Sequence, residues 1–159
     1  MLNNIKADLD KFADKNRAIH SLRFFKTGPG EYGEGDKFLG LTVPQVRSVV
    51  KIYSNLPLSD VKNLLMSPIH EHRLAALLIL VTKKLDEDIY NLYLKHTEYI
   101  NNWDLVDLSA PNIVGKYLVD KDRSILYKLT KSKLLWDRRI AVLATFIFIK
   151  EKDYTDSLR

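Results

Sequence analysis

The residues of this chain best suited to chemistry are Trp103 and Asp107, which stand four positions apart in the segment Asn-Asn-Trp-Asp-Leu-Val-Asp. Asn102 is a good helix N-cap, so a helix that begins at Trp103 would place the indole and the carboxylate on one face. Pro111 lacks an amide hydrogen, which predicts that this helix breaks or kinks just before it. A carboxylate beside an indole can stabilise a cation, or positive charge that develops during a reaction. The alternative is a core tryptophan beside a solvated or capping aspartate, and this stretch alone leaves both interpretations open.

A spacing of 33 residues relates this segment to two others. His70, Trp103 and Trp136 occupy equivalent places, and the same register aligns Arg73 with Arg139. A period in the thirties with two helices per unit is typical of an α-solenoid. We therefore predict an all-α fold of antiparallel helix pairs that stack into a curved array, with one helix of each pair lining a concave face.

The predicted concave face carries two tryptophans, one aspartate and three arginines: Trp103, Trp136, Asp107, Arg73, Arg138 and Arg139. Arginines neutralise phosphates and indoles press against bases and sugars, so this face suits an extended anionic ligand such as DNA or RNA. A carboxylate repels phosphates, so the presence of Asp107 on this face indicates a bound cation or positive charge that develops during a reaction. In the alternative interpretation Trp136 is core, Arg138 is solvated and Arg139 pairs with Asp107 as structure alone. From these residues alone, DNA or RNA binding is favoured only slightly over a protein-binding solenoid.

Composition limits the classes of protein to consider. The 159 residues fit one domain, and 46% hydrophobic and 28% charged residues are ordinary for a globular chain. The absence of cysteine excludes disulfides and thiol chemistry and fits a reducing compartment. The sequence shows no signal-peptide pattern and no apolar run long enough to span a bilayer, so we expect a cytoplasmic protein. The net charge of +5 permits nucleic-acid binding without requiring it.

Helix signals fill most of the chain. We predict helices over residues 3–25 (as one or two), 43–53, 58–66, 69–84, 86–99, 122–131 and 135–150, with Thr42, Ser67 and Asp86 as N-caps. The segment from 27 to 41 holds five of the six glycines. It lacks the Gly-Lys-Ser/Thr ending and the preceding strand of a phosphate-binding loop, and its acidic residues would repel phosphate. Turn formation is the default, and a mobile loop that reaches a ligand is the alternative.

Three motifs carry a family resemblance: FLGLTVPQVR at 38–47, NWDLVD at 102–107 with Pro111 and Gly115 after it, and LWDRRIA at 135–141. In their order and spacing the chain resembles the HEAT-like-repeat DNA alkylation repair glycosylases of bacteria, the AlkD family. The resemblance implies an all-α domain over residues 1–159 that uses no metal or organic cofactor. It implies excision of cationic N3- and N7-alkylated purines from duplex DNA, the first step of base excision repair.

The resemblance also assigns roles to residues. Asp107 matches the catalytic aspartate, Trp103 the tryptophan packed beside the deoxyribose, and Arg139 the DNA-contacting arginine. The other predicted DNA-binding residues are Trp136, Arg138, Arg73, Phe24 and Arg47, where Phe24 stands in the place of a tyrosine of some members. An alkylated purine already carries positive charge and leaves readily, so the carboxylate would stabilise the sugar cation and orient a water. The resemblance further implies that the lesion need not be flipped into a pocket, unlike the substrates of most enzymes that act on bases.

The chain differs from the family in its length. Members normally continue with further helical repeats that carry a second site tryptophan, so we expect this chain to be a truncated form. The leading hypothesis is a monomeric alkylpurine DNA glycosylase. The alternatives are a DNA-binding solenoid without activity and a protein-interaction solenoid.

Overall fold

The computed structural model describes residues 1–157, and within them the chain is all-helical. The predicted fold class is confirmed, since the packing of the helices is consistent with an α-solenoid. The only β-type contact in the described part is an isolated bridge between Lys37 and Ile69. The chain divides into two compact units, Met1–Lys83 and the part from Lys84 onward. A single domain over 1–159 stays a prediction, and its last two residues lie outside the described range.

The first unit contains five helices: α1 (Leu2–Asp10), α2 (Lys15–Phe24), α3 (Val43–Ile52), α4 (Leu58–Leu65) and α5 (His70–Thr82). Helix α5 lies against α1, α3 and α4, and its first eleven side chains are buried. The predicted capping box that opens α3 is confirmed. The Thr42 hydroxyl accepts from the Gln45 amide, and the Gln45 side chain accepts from the Thr42 amide at 2.8 Å.

The start of α5 differs from the prediction. Ser67 was expected to cap the helix with Pro68 as its first residue, but Ile69 is the N-cap and His70 is the first helical residue. The Ser67 hydroxyl instead accepts from the Ile69 amide at 3.2 Å and lies 2.9 Å from the His72 ring nitrogen Nδ1. Ser67 therefore belongs to the turn before the helix, and the helix begins two residues later than a cap at Ser67 would place it.

The glycine-rich segment is anchored to α5 by two acidic side chains. The Glu71 carboxylate accepts from the backbone amides of Leu39, Gly40 and Leu41 at 2.7–3.1 Å. Gly40 has φ +84°, and a Cβ there would lie 2.2 Å from the Asp14 carbonyl oxygen at the start of α2. Turns form within residues 29–35, as predicted, and the end of the segment is packed between α2 and α5.

The second anchor is Asp36, and it corrects the prediction for Arg73. Asp36 accepts from the Arg73 guanidinium at 2.6 Å and lies 3.0 Å from Nδ1 of His70, and all three side chains are buried. The expectation that Arg73 lies on a ligand-facing surface is wrong, because this residue is only 4% exposed. A guanidinium that neutralises a buried carboxylate cannot leave it without a large desolvation cost, so Arg73 is a structural residue here.

The second unit contains α6 (Glu87–Lys95), a 3₁₀ turn (Thr97–Tyr99), α7 (Trp103–Ala110), a π-helical segment (Pro111–Gly115), α8 (Ser124–Leu129) and α9 (Leu135–Lys150). Helix α9 packs against α7, the π-helical segment and α8. Asp86 caps α6 as predicted, with its carboxylate accepting from the Ile89 amide. The helix ends at Lys95 rather than near Tyr99, and the bounds of α9 are those predicted.

Pro111 ends the α-helix without ending the helical path. Its backbone angles are φ −61° and ψ −38°, and the chain continues as a π-helical turn. A wider turn accommodates a residue that lacks an amide hydrogen. The Asn112 side chain donates to the Leu108 carbonyl at 2.8 Å. This carbonyl therefore has a hydrogen-bond partner where the regular backbone pattern of the α-helix is interrupted. Across residues 1–157, no helix combines the length and apolar character needed to cross a bilayer.

Candidate nucleic-acid interface

The starts of the helices revise the sequence register. Helices α5, α7 and α9 begin at His70, Trp103 and Leu135, so the second interval is 32 residues and not 33. Asp107 and Arg139 are therefore both the fifth residue of their helices. The predicted equivalence of Arg73 with Arg139 is wrong by one position.

A repeated turn confirms the revised register. Before α5, the Ser67 hydroxyl bonds His72 and the Ser67 carbonyl accepts from Arg73 at 2.9 Å. Before α9, the Ser132 hydroxyl donates to Asp137 at 2.7 Å and the Ser132 carbonyl accepts from Arg138 at 2.7 Å. The same hydrogen bonds recur 65 residues later, so Arg73 corresponds to Arg138. Both arginines fasten the turn that precedes their helix, and a DNA-binding role for Arg138 stays a prediction.

Asp107 and Arg139 form a two-bond ion pair between α7 and α9. Nε of Arg139 donates to Oδ1 of Asp107 at 2.7 Å, and its NH2 group donates to Oδ2 at 2.8 Å. The side chains are 38% and 40% exposed respectively, so the pair stands at the surface of the second unit. Hydrogen bonding to Asp107 raises the pKa of Arg139 above its usual value, against an opposing effect of partial burial. The two hydrogen bonds fix the plane of the Asp107 carboxylate, as in other bidentate arginine–carboxylate pairs.

The two predicted tryptophans lie on the same two helices as this ion pair. Trp103 precedes Asp107 by one helical turn on α7, and Trp136 precedes Arg139 by three residues on α9. Side chains at these spacings share a face of a helix. Both indoles are partly exposed. The second unit therefore carries two aromatic rings, one carboxylate and one guanidinium on neighbouring helices.

The π-helical segment that follows α7 packs closely against α9. A Cβ at Gly115 would lie 2.4 Å from the Ala144 carbonyl oxygen, so the π-helical segment approaches α9 more closely than a side chain would permit. On α7, the buried Ser109 hydroxyl donates to the Leu105 carbonyl at 2.5 Å and lies 2.8 Å from the buried Tyr93 hydroxyl. Burial is the main cause that raises the pKa of Tyr93, so it stays a neutral packing residue.

The remaining predicted DNA-binding residues belong to the first unit. Phe24 is the last residue of α2 and is 55% exposed, with its ring stacked 6.4 Å from that of His20. Arg47 is exposed on α3, where it lines an open groove between α3 and α5. Lys51, four residues after Arg47 on α3, is also exposed and lines the same groove. Within residues 1–157 no cluster of His, Cys, Asp or Glu could hold a metal ion.

Comparison with known proteins assigns the chain to a family. A family model described as DNA alkylation repair enzyme matches residues 5–159, and no match was found among curated proteins. The chain belongs to the DNA alkylation repair enzyme family. This membership supports a role in DNA alkylation repair. Asp107, Arg139 and both tryptophans fall inside the matched range, so the ion pair is a feature of a repair-family protein.

Proposed function

We propose that the protein is a DNA glycosylase that hydrolyses the N-glycosidic bond of cationic N3- and N7-alkylated purines in duplex DNA. The observation that supports this proposal most directly is the oriented carboxylate of Asp107, held by Arg139 between two helices that each carry a tryptophan. A fixed negative charge at an exposed, aromatic-flanked position serves a reaction that generates a cation.

In the proposed mechanism the alkylated purine leaves as a neutral base and takes the bonding electron pair with it. The deoxyribose then carries positive charge, which Asp107 stabilises through space while it orients a water for attack at the anomeric carbon. The water adds its oxygen to that carbon and releases a proton, which completes the hydrolysis. The faces of Trp103 and Trp136 add quadrupole attraction to the same cation.

Arg139 has two functions in this proposal. Its Nε and one of its terminal nitrogens each donate a hydrogen bond to Asp107. A guanidinium has five N–H donors in all, so three remain. The remaining donors can bind a phosphate of the lesion strand, which places the sugar against the carboxylate. Phe24 and Arg47 would contact duplex DNA from the first unit, on sequence-independent parts of the backbone.

The test is release of free base from duplex DNA that contains a single 7-methylguanine. The proposal expects free 7-methylguanine by chromatography and an abasic site cleavable by alkali, with no added metal or cofactor. The same duplex with guanine at that position is the control. Binding of both duplexes with no base release would favour a DNA-binding protein without activity, and absence of binding would favour a protein-interaction role.

A further inference from the structure

Helix α2 presents most of its surface to solvent. None of its ten side chains, all of which lie in the described part of the chain, is buried. The helix is held at its two ends instead. In its first turn Nε of Arg17 donates to the Gly40 carbonyl at 2.7 Å, and after its last residue the ring of Phe25 stacks on that of Phe38 at 5.2 Å. Helix α2 is thus fixed in place while its outer face is open to solvent.

The outer face of α2 combines aliphatic and cationic side chains. Lys15, Ile19 and Leu22 are spaced four and three residues apart, so they share one face of the helix. Ile19 is 59% exposed and Leu22 is 40% exposed. Arg23 lies one turn after Ile19 and adds a second cation beside the aliphatic pair. Phe24 comes two residues after Leu22 and therefore points to another side of the helix, so this face is distinct from the proposed DNA contact of Phe24.

The positive charge of this face is not neutralised by the protein itself. Three cations form no ion pair within residues 1–157: Lys15, Arg23 and Lys26. The acidic residues nearest in sequence are engaged elsewhere. Asp14 caps α2, while Glu31 and Glu34 accept from glycine amides of their own turn at 2.8 and 2.9 Å. A ligand that brings carboxylates to this face would therefore supply the missing negative charge.

The backbone of Lys26 gives a second indication. Lys26 follows the C-cap of α2 and has φ +52°, in the left-handed region where a glycine is the usual residue. The Thr27 amide then donates to the Leu22 carbonyl at 3.2 Å and closes the end of the helix. A side chain at this position is sterically less favourable than a glycine would be. The lysine therefore does not serve the fold, which indicates that its charge serves binding.

We propose that the outer face of α2 binds an acidic amphipathic helix of a partner protein. The apolar side chains of that helix would pack on Ile19 and Leu22, with its carboxylates beside Lys15, Arg23 and Lys26. A phosphate backbone is bound through cations and N–H groups and gains nothing from two exposed aliphatic side chains. Two such side chains are also too few to hold a helix in a membrane surface. The inference does not depend on the proposed glycosylase activity.

The experiment measures binding of a labelled acidic peptide to the full chain by fluorescence anisotropy. The probe is a helical peptide of about 20 residues, with leucines along one face and glutamates on both sides of them. The test variant is Ile19→Gln with Leu22→Gln. The matched control is Ile52→Gln with Met66→Gln, which replaces residues that are 72% and 41% exposed outside α2. We expect the test variant to lose roughly tenfold affinity for the probe, and the control to change far less.

A second variant separates the charge of Lys26 from its place in the fold. Lys26→Gly removes the charge and relieves the left-handed backbone, so it should raise the melting temperature while it weakens probe binding severalfold. A polyglutamate peptide of the same length carries the charge without the apolar side chains. The unsubstituted protein should bind it more weakly than the probe.

Four outcomes would overturn the inference. Absence of probe binding by the unsubstituted protein would remove the docking site. Equal affinity for the probe and for polyglutamate would reduce the face to a charged surface. Loss of duplex affinity in the test variant, beside unchanged probe binding, would assign the face to DNA. Loss of binding to phosphatidylglycerol vesicles in the test variant, beside unchanged probe binding, would assign it to a membrane surface.

Discussion

Asp107 and Arg139 occupy the fifth positions of α7 and α9, and their side chains meet in two hydrogen bonds of 2.7 and 2.8 Å. Their equivalent placement on neighbouring helices brings the two side chains together, and Gly115, in the segment after α7, allows a close approach of that segment to α9. Such a pair at partial exposure adds little to stability. Its function is to fix the direction of the Asp107 carboxylate.

Replacement of Arg139 should affect DNA binding and excision differently, depending on the substitute. Arg139→Ala removes both the charge and the fork, so we expect weaker binding of damaged and undamaged duplex alike. Arg139→Lys keeps the positive charge but cannot form both hydrogen bonds to Asp107. This variant should therefore retain most of the affinity for DNA, while excision slows. Binding titrations beside single-turnover release measure the two effects. Unchanged binding in Arg139→Ala together with a sharp fall in melting temperature would make Arg139 a structural partner only.

Gly115→Ala should destabilise the second unit. The new methyl group would lie 2.4 Å from the Ala144 carbonyl oxygen, which is backbone and cannot rotate away. Overpacking of this kind costs about 1–3 kcal/mol, which urea unfolding can resolve. Lys116→Ala, at the exposed next residue, is the control and should change stability by less than about 0.5 kcal/mol. An unfolding midpoint equal to that of the original protein would contradict the close approach of the π-helical segment to α9.

Stability should fall as the solution is acidified below pH 6.5, because His72 must become charged. Burial, followed by repulsion from Lys6, lowers the pKa of His72 from 6.5 to about 4, and Arg73 adds to the repulsion while Asp10 opposes it. Between those pH values the unfolded chain binds more protons than the folded one, so the free energy of unfolding rises with pH and is fully recovered above 6.5. The contribution is at most about 3 kcal/mol.

Unfolding by urea at pH 4.5 and pH 7 measures this effect, with His72→Asn as the comparison. The asparagine can keep a polar contact to Ser67 but does not titrate. The difference in free energy between the two pH values should shrink in the variant. An equal difference in both proteins would show that other groups cause the pH dependence.

Much of the fold could be predicted from local signals. The Thr42–Gln45 capping box, the Asp86 cap and the bounds of α9 depend on neighbouring residues alone, and each is as expected. The prediction for Ser67 is wrong because a serine three residues before the first helical residue can stabilise the preceding turn instead of capping the helix. The one-residue error in the repeat register has a different cause. The prediction aligns the two tryptophans, whereas the repeat is defined by the first residues of the helices.

The candidate site could be predicted only in part. The pairing of Arg139 with Asp107 was foreseen as the structural alternative, and the structure contains that ion pair. The burial of Arg73 could not be predicted, because its partner Asp36 lies 37 residues earlier in a segment interpreted as a loop. Long-range contacts between a loop and a helix leave no periodic signal in the sequence.

The measurement that tests the central claim most directly is single-turnover release of 7-methylguanine by the original protein and by Asp107→Asn. The substitution keeps the shape of the side chain and removes its charge. We predict that release slows roughly a hundredfold, the effect of losing about 3 kcal/mol of transition-state stabilisation, while affinity for undamaged duplex is equal or higher because a repulsion with phosphate is relieved. Melting curves of both proteins should coincide within a few degrees. Release by Asp107→Asn at the original rate, with a matching melting curve, would contradict the account and reduce Asp107 to a surface charge.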